Sequence, residues 1–396
     1  MNARFVDEVP IGEVVELVRK WNPSRVPDDR FAYIDLSSVD QEAKEITGAV
    51  NHLGASAPSR ARQLIAAGDI LVSTVRPNLN AVALVPDKHD GSTASTGFCV
   101  LRPARTKIDA NYLFHWVRSP RFVDCMVRQA TGASYPAVTD RIVKASEIPL
   151  PPLDEQRRIA AILDKADALR RKRRQALELL DGLTQSIFLE MFGERLAGSQ
   201  VALGEVIERI DSGWSPKCLG RPARAPEAGI LKLSSVTSGS FRPEENKALP
   251  GDLSARPQDQ VGREEVLLCR KNTKELVGAS AFVWEKPQGL YISDLIFRLV
   301  PKEDVVNAVY LQSALSIPSV RAEMSALAGG AAGSMPNISK RKLREISVPL
   351  PPVDLQKQFA ALAAKVHAHR SSAASSERSL AALFRSLQAR AFSGAL

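Results

Sequence analysis

Cysteine is scarce: Cys99, Cys125, Cys218 and Cys269 are the four among 396 residues. None forms a CxxC pair, and their spacing suits neither a zinc site nor a disulfide framework. That points to a reducing, cytoplasmic setting. Long apolar runs are missing too. No stretch of about 18 apolar residues exists, so no transmembrane helix and no membrane role are expected. Met1–Pro10 carries acidic residues and no apolar signal-peptide core.

Catalytic motifs are also missing. There is no GxxxxGK[ST] phosphate loop. No strand ends in an Asn/Asp-Pro-Pro-aromatic methyltransferase motif, and Asn22-Pro23 is followed by Ser24. His52, His89, His115, His367 and His369 are the five histidines. His367 and His369 lie two apart and face different sides of a helix, so they form no i, i+4 metal pair. Gly329-Gly330-Ala331-Ala332-Gly333 lacks the Lys-Ser/Thr helix start of a phosphate loop and reads as a flexible recognition loop. No catalytic residue and no metal ligand are expected.

What is present is ordinary globular composition, 44% hydrophobic and 24% charged, with a net charge of +9. The basic balance favours a polyanionic partner, nucleic acid first. The length leaves room for two to three domains.

The most informative feature is an internal repeat. Ile11-Gly12-Glu13-Val14-Val15-Glu16 returns as Leu203-Gly204-Glu205-Val206-Ile207-Glu208, and Trp21-Asn22-Pro23 as Trp214-Ser215-Pro216. Leu36-Ser37-Ser38-Val39 returns as Leu233-Ser234-Ser235-Val236, and Asp69-Ile70-Leu71-Val72 as Glu265-Val266-Leu267-Leu268. Pro149-Leu150-Pro151-Pro152-Leu153-Asp154-Glu155-Gln156 returns as Pro349-Leu350-Pro351-Pro352-Val353-Asp354-Leu355-Gln356, six of eight identical at an offset of 200.

Each half opens with a mixed portion. Tyr33 to Val39, Asp69 to Val75, Ala81 to Val85 and Phe98 to Arg102 read as strands. Helices follow from Asn111 to Arg118 and Arg121 to Gln129. The second half repeats the order: strands at Gly229 to Val236, Glu265 to Cys269 and Tyr291 to Leu299, then helices near Val305 to Leu315 and Ser319 to Ala328. The close of each half is one long helix. After Pro152, Asp154 serves as N-cap, Gly182 is a tolerated weak spot and Gly193 is the stop. Apolar or small residues recur at Ile162, Ala166, Leu169, Ala176, Leu180, Leu183 and Ile187, interrupted at Arg173. The second copy carries Leu362, Val366, His369, Ala373, Ser376, Leu380, Leu383 and Leu387, each 200 residues after its counterpart. This four-and-three spacing is a coiled-coil seam, and two matched seams in one chain should pair antiparallel. A helix of about 38 residues is roughly 57 Å long.

The expected architecture is α+β with a pseudo-twofold repeat: residues 1–150 and 196–350 are two similar mixed domains, and 151–195 and 351–396 are the helical spacers pairing as an antiparallel coiled coil. Equivalent domains at the two ends of such a rod suit DNA, whose grooves recur about every 34–36 Å.

Ile148 to Gln156 running into Arg157-Arg158-Ile159-Ala160, with its copy from Val348 to Phe359, resembles the start of the helical regions in specificity subunits of type I restriction–modification systems. The resemblance covers essentially the whole chain. It implies two target-recognition domains, each reading one half of a split double-stranded DNA sequence. It also implies helices that set the unread gap and dock methyltransferase subunits, two copies, with restriction and translocase subunits joining. Catalysis belongs to those partners, which carry S-adenosylmethionine, ATP and Mg; this chain holds no cofactor.

Candidate DNA contacts are loop residues with phosphate- or base-reading chemistry. In the first domain they are Arg76, Asn78 and Asn80, then Lys88 and His89, then Ser134 and Tyr135. In the second they are Arg270, Lys271, Asn272 and Lys274, then Ser334 and Asn337. The run Arg170-Arg171-Lys172-Arg173-Arg174 is a candidate for the spacer region, facing DNA or an acidic partner surface. Three other readings stand beside this one: a related bipartite system whose partner fuses methylase and nuclease, a scaffold protein without DNA affinity, and an autonomous enzyme on the mixed domains, which the missing motifs disfavour.

Overall fold

A computed structural model of the chain describes residues 7–196, 198–329 and 335–396. The chain divides into two compact units, Met1–Ala176 with Ala373–Leu396, and Leu177–Ser372. Each unit therefore combines one mixed domain with a stretch of both long helices.

In the first unit the central sheet orders its strands Val15–Glu16, Phe98–Pro103, Ile70–Ser73, Val82–Leu84. Ile70 to Val72 of strand Ile70–Ser73 are apolar without alternation because both faces of the strand are covered. Ile70 and Val72 enter a core with Tyr112, Trp116 and Phe122, whereas Leu71 enters another with Phe98 and Val100. Each such side chain contributes about 1.5–3 kcal/mol. A second sheet orders Val50–Leu53, Arg30–Ile34, Thr93–Ser95, Ala61–Leu64, with Thr93–Ser95 parallel to Arg30–Ile34.

The second unit repeats the plan. Its main sheet orders Ile207–Ser212, Ile296–Pro301, Glu265–Cys269, Ser280–Val283. Val266 and Leu268 face one core, Leu267 and Cys269 the other. A three-stranded sheet of Asn246–Ala248, Gly229–Leu231 and Leu290–Tyr291 stands beside it.

Three local expectations are corrected. Leu36–Ser38 and Leu233–Ser235 are 3-10 turns, not strand. Asp35 accepts hydrogen bonds from the Ser37 and Ser38 amides and so ends the extended run at Ile34. Tyr291 to Leu299 is two strands, Leu290–Tyr291 and Ile296–Pro301. Asp154 is not an N-cap: the helix begins at Leu153, where the Pro152 carbonyl accepts from the Glu155 and Gln156 amides. In the first turn its charge still suits the helix N-terminus.

The long helices are Leu153–Phe192 and Val353–Ala391. They run antiparallel within each unit. In the first, Arg170 lies over the Phe384 ring and Arg158 donates to the Leu396 carbonyl. In the second, Phe188 meets Phe359 and Arg370 pairs with Asp181. The buried face is rotated from the expected seam. Leu169, Leu183, Leu362 and Leu383 are 40–56% exposed, and Ile162, Leu180, Ile187, Leu380 and Leu387 are half-buried; Val366 is buried. Buried instead are Gln156, Ile159, Leu163 and Asp167, then Phe188 and Phe192, with Gln356, Phe359, Ala363, Phe384 and Gln388 on the second helix and Phe392 just past its end. The mixed domains cover polar residues there, and apolar spacing alone misses them.

The repeated Pro-Leu-Pro-Pro motif has a structural meaning. Gln156 is buried; its Oε1 accepts from the Asp109 amide at 2.9 Å and its Nε2 donates to Lys107 O and Pro151 O at 3.1 and 2.8 Å. Gln356 does the same with Asn307, Val305 and Pro351, at 2.9, 3.4 and 2.7 Å. Tyr112 donates its hydroxyl to Pro149 O, and Tyr310 to Pro349 O. The motif thus pins each long helix to the helix-bearing face of its own domain.

Candidate nucleic-acid interface

Beyond Ser73 and Glu265–Cys269, the chain leaves the main sheets in turns that carry the candidate residues. In the first unit Val75 bridges Ala137, and the Arg76 amide donates to Pro136 O at 2.7 Å. Residues about sixty positions apart in sequence thereby share one tip. The Arg76 guanidinium lies 4.6 Å from the centre of the Tyr135 ring, which is 67% exposed. Arg76 holds φ of 50°, a left-handed conformation uncommon for a side chain of its bulk. Such strain persists only where the surroundings impose it, and it clusters at functional sites. Asn78 and Ser134 are exposed beside this pair.

Asn80 has a different role from the one expected. Its Nδ2 donates to Val117 O at 2.9 Å, and its carbonyl and Oδ1 accept from Lys44 Nζ. It anchors the turn and has its side chain committed inward. Lys88 and His89 lie on the turn Asp87–His89, after the end of Val82–Leu84 that pairs with Ile70. The Arg76 turn leaves the opposite end of that hairpin, so the structure does not bring the two groups together. Burial and the neighbouring Lys88 charge push the His89 imidazole down.

The second unit builds the same tip from different residues. Lys271 bridges Asn337, and the Asn272 amide donates to Pro336 O at 3.1 Å. Arg270 is tied down by Asn337 Oδ1 at 3.1 Å and Asp294 O at 3.2 Å. Lys271 and Asn272 are half-buried at the surface and Lys274 is exposed. Ser334 and the glycine-rich loop from Gly330 to Gly333 lie outside the described residues. Thr139 and Ser339 cap the short helices that follow the two tips, Asp140–Ala145 and Lys340–Arg344.

Sequence reasoning missed Leu79 and Met335, exposed by 39% and 53% at these tips, and Lys44, which reaches the Arg76 turn from 36 positions away. Nothing in the local pattern around Lys44 marks it.

The basic run is largely spoken for within the first unit. Arg118 Nη2 and Asp167 Oδ2 are 3.0 Å apart, both side chains 5% exposed, and Arg170 holds the other Asp167 oxygen at 2.8 Å. Burial opposes the Asp167 charge, but Arg118, Arg170 and Arg171 outweigh it and hold the carboxyl below its usual range. Arg171 pairs with Glu45 at 2.5 Å and Arg174 with Glu42 at 3.2 Å. Lys172 and Arg173 are exposed, without an ion pair or hydrogen bond among the described residues. Among the described residues no cluster suited to a metal ion occurs, and no helix is long and apolar enough to cross a membrane.

Residues 56–179 match the family model for the type I restriction modification DNA specificity domain. The chain is 36% identical over 155 residues to the specificity subunit of the Escherichia coli type I restriction enzyme EcoEI. That match covers 39% of this chain and 26% of the relative, about a quarter of its length. A putative MjaX specificity subunit from Methanocaldococcus jannaschii is 24% identical over 375 residues, covering 88% of this chain and 83% of that protein. Among solved structures, a chain from work on complex assembly and conformational transition of the type I R-M system is 27% identical, with a TM-score of 0.62 and full coverage of both chains. The S subunit of the M. genitalium type I system has the same fold at 12% identity, with a TM-score of 0.61 and 98% and 97% coverage. Two mixed domains and a long helix, with a match to a DNA specificity domain in the first half, are the features shared with these proteins. The chain is thus similar, over residues 56–179 by family model and over most of its length by weaker likeness, to the specificity subunits of type I restriction–modification systems.

Proposed function

We propose that this chain reads a bipartite double-stranded DNA target, one half-site per mixed domain, and contributes no catalysis itself. The observation that carries the reading is the pair of matched tips. Each joins the turn after a central strand to the loop before a capped helix, on the same fold, with different side chains exposed. Arg76, Asn78, Ser134 and Tyr135 would read one half-site; Lys271, Asn272 and Lys274 the other. Arginine and asparagine make two-point contacts to guanine and adenine edges, and lysine holds phosphate. The paired helices would set the gap and dock methyltransferase subunits, two copies, to which restriction and translocase subunits add. S-adenosylmethionine, ATP and Mg would then act on those partners.

The test is base-resolved methylation mapping of DNA from cells expressing the chain with its methyltransferase partner, with deletion of this chain as control. A split motif of fixed gap, lost in the deletion, supports the reading. Exchange of one mixed domain should then alter one half of the motif only. Methylation unaffected by the deletion would refute it.

A further inference from the structure

The two units are built on one plan, yet one place in that plan is filled in the first unit and empty in the second. The register between them holds at side-chain level. Helices Ala110–Val117 and Ala308–Leu315 correspond, and Tyr112 and Tyr310 make the same hydrogen bond to Pro149 O and Pro349 O. Phe392 packs on Tyr112 at 5.4 Å, and Phe192 packs on Tyr310 at 5.0 Å.

In the first unit the space between helix Ala110–Val117 and the long helices is filled by the Arg118 guanidinium. It lies 4.7 Å from the Phe114 ring and 5.8 Å from Phe384, and it is ion-paired to Asp167. In the second unit every one of those residues is replaced. Ser316 stands in the place of Arg118, Gln312 of Phe114, Thr184 of Phe384 and His367 of Asp167. All four line a cavity of about 1090 Å³. The loop that carries Glu42 and Glu45 onto Arg174 and Arg171 in the first unit has its counterpart in Ser238, Gly239, Ser240 and Phe241, which form another wall.

We infer that this cavity receives an arginine-bearing segment of a partner polypeptide, which supplies in trans the group that Arg118 supplies in the first unit. The walls have the matching chemistry. Trp284 stacks on His367 with centroids 4.6 Å apart at 14°, giving a flat aromatic surface for a planar cation. Asp181, Glu227 and Glu285 outnumber Lys286 and Arg370 among the lining charges. Asp181 is paired with Arg370 and Glu227 with Arg221. Glu285, next to Trp284, has no ion pair or hydrogen bond among the described residues and is the carboxylate left for an incoming fork. Burial pushes the His367 imidazole down, against the pull of the Glu285 carboxylate, which disfavours a competing positive charge on that ring. The cavity exceeds the roughly 300–1,000 Å³ of ordinary small-ligand pockets, which suits a side chain delivered with its backbone.

The experiment is calorimetric titration of the full chain with a blocked peptide, acetyl-Ala-Leu-Ala-Arg-Ala-Leu-Ala-amide, and its citrulline twin. The arginine peptide should bind about tenfold or more tighter than the citrulline peptide. Refilling the cavity with Ser316→Arg and His367→Asp together should weaken that binding about tenfold or more, leaving DNA affinity unchanged. Should the double variant fail to fold, Glu285→Gln at an exposed position should by itself remove most of the preference. Equal binding of the two peptides, no binding at about 1 mM, or a preference that survives Glu285→Gln would overturn the inference. Agmatine binding as tightly as the peptide would also overturn it, because the site would then belong to a small molecule. Loss of DNA binding by unmodified protein would count against the DNA-reading role and leave the peptide result standing.

Discussion

Replacing Gln156 by Leu should destabilise the first unit and spare the second. The side chain is buried and makes three hydrogen bonds, at 2.9, 3.1 and 2.8 Å, all to backbone groups. Leucine is close in volume, so packing changes little; what is lost is the pairing of the Asp109 amide and the Lys107 and Pro151 carbonyls. Each buried group left without a partner costs about 1–3 kcal/mol. Three of them give about 3–5 kcal/mol once some re-solvation is allowed, a large part of the roughly 5–15 kcal/mol that holds a domain folded. Hydrogen exchange followed peptide by peptide reads the two units separately in one sample. Strands Ile70–Ser73 and Phe98–Pro103 should lose protection, whereas Glu265–Cys269 and Ile296–Pro301 should keep it. Gln356→Leu, which removes the matching bonds of the second unit, should give the mirror result. A loss under about 1 kcal/mol, or one shared equally by both units, would refute the idea that this glutamine fastens each helix to its own domain.

Arg76→Ala and Tyr135→Ala should each weaken DNA binding by about 1–3 kcal/mol and relax the motif in one half only, read by methylation mapping. Asp167→Asn should cost about 3–5 kcal/mol, because Arg118 is 5% exposed and would be left buried without a carboxylate; urea unfolding measures it. Burial, with Arg118 and Arg170 adding to it, pushes the Lys44 ammonium from its ordinary 10.5 down to about 8. Between those values the unfolded chain binds the extra proton, so this residue makes stability rise with pH through that window and contributes no slope below it. The rise should be missing in Lys44→Met when unfolding midpoints of the two proteins are compared across the same pH values.

Some of this was legible in the sequence, for physical reasons that differ from element to element. The run from Leu153 to Phe192 contains Gly182 as its sole glycine and no proline, so its helix is decided locally. Ile70-Leu71-Val72 and Val266-Leu267-Leu268 are apolar without alternation, as strands covered on both faces must be. The face that each long helix buries is a different matter, because the covering surface comes from elsewhere in the chain. Asp167 looks like a solvated residue until Arg118, 49 positions earlier, is seen to occupy the same space. Leu169 and Leu383 look like seam residues, yet they stay exposed because the mixed domain covers the neighbouring face.

The same distinction governs the candidate interface. Arg76 and Tyr135 were each picked out by loop position and side-chain type, but their contact is made by a bridge between Val75 and Ala137 that no local pattern announces. Asn80 was picked out on the same grounds and is turned inward, because Lys44 and Val117 O take its polar atoms. A polar loop residue is therefore free to meet DNA only if no backbone group or distant cation reaches it first. The two units apply that rule to different residues: Asn80 is consumed in the first and Arg270 in the second, leaving Arg76 and Lys274 outward. Two copies of one sheet order can thus present different chemistry at their two tips.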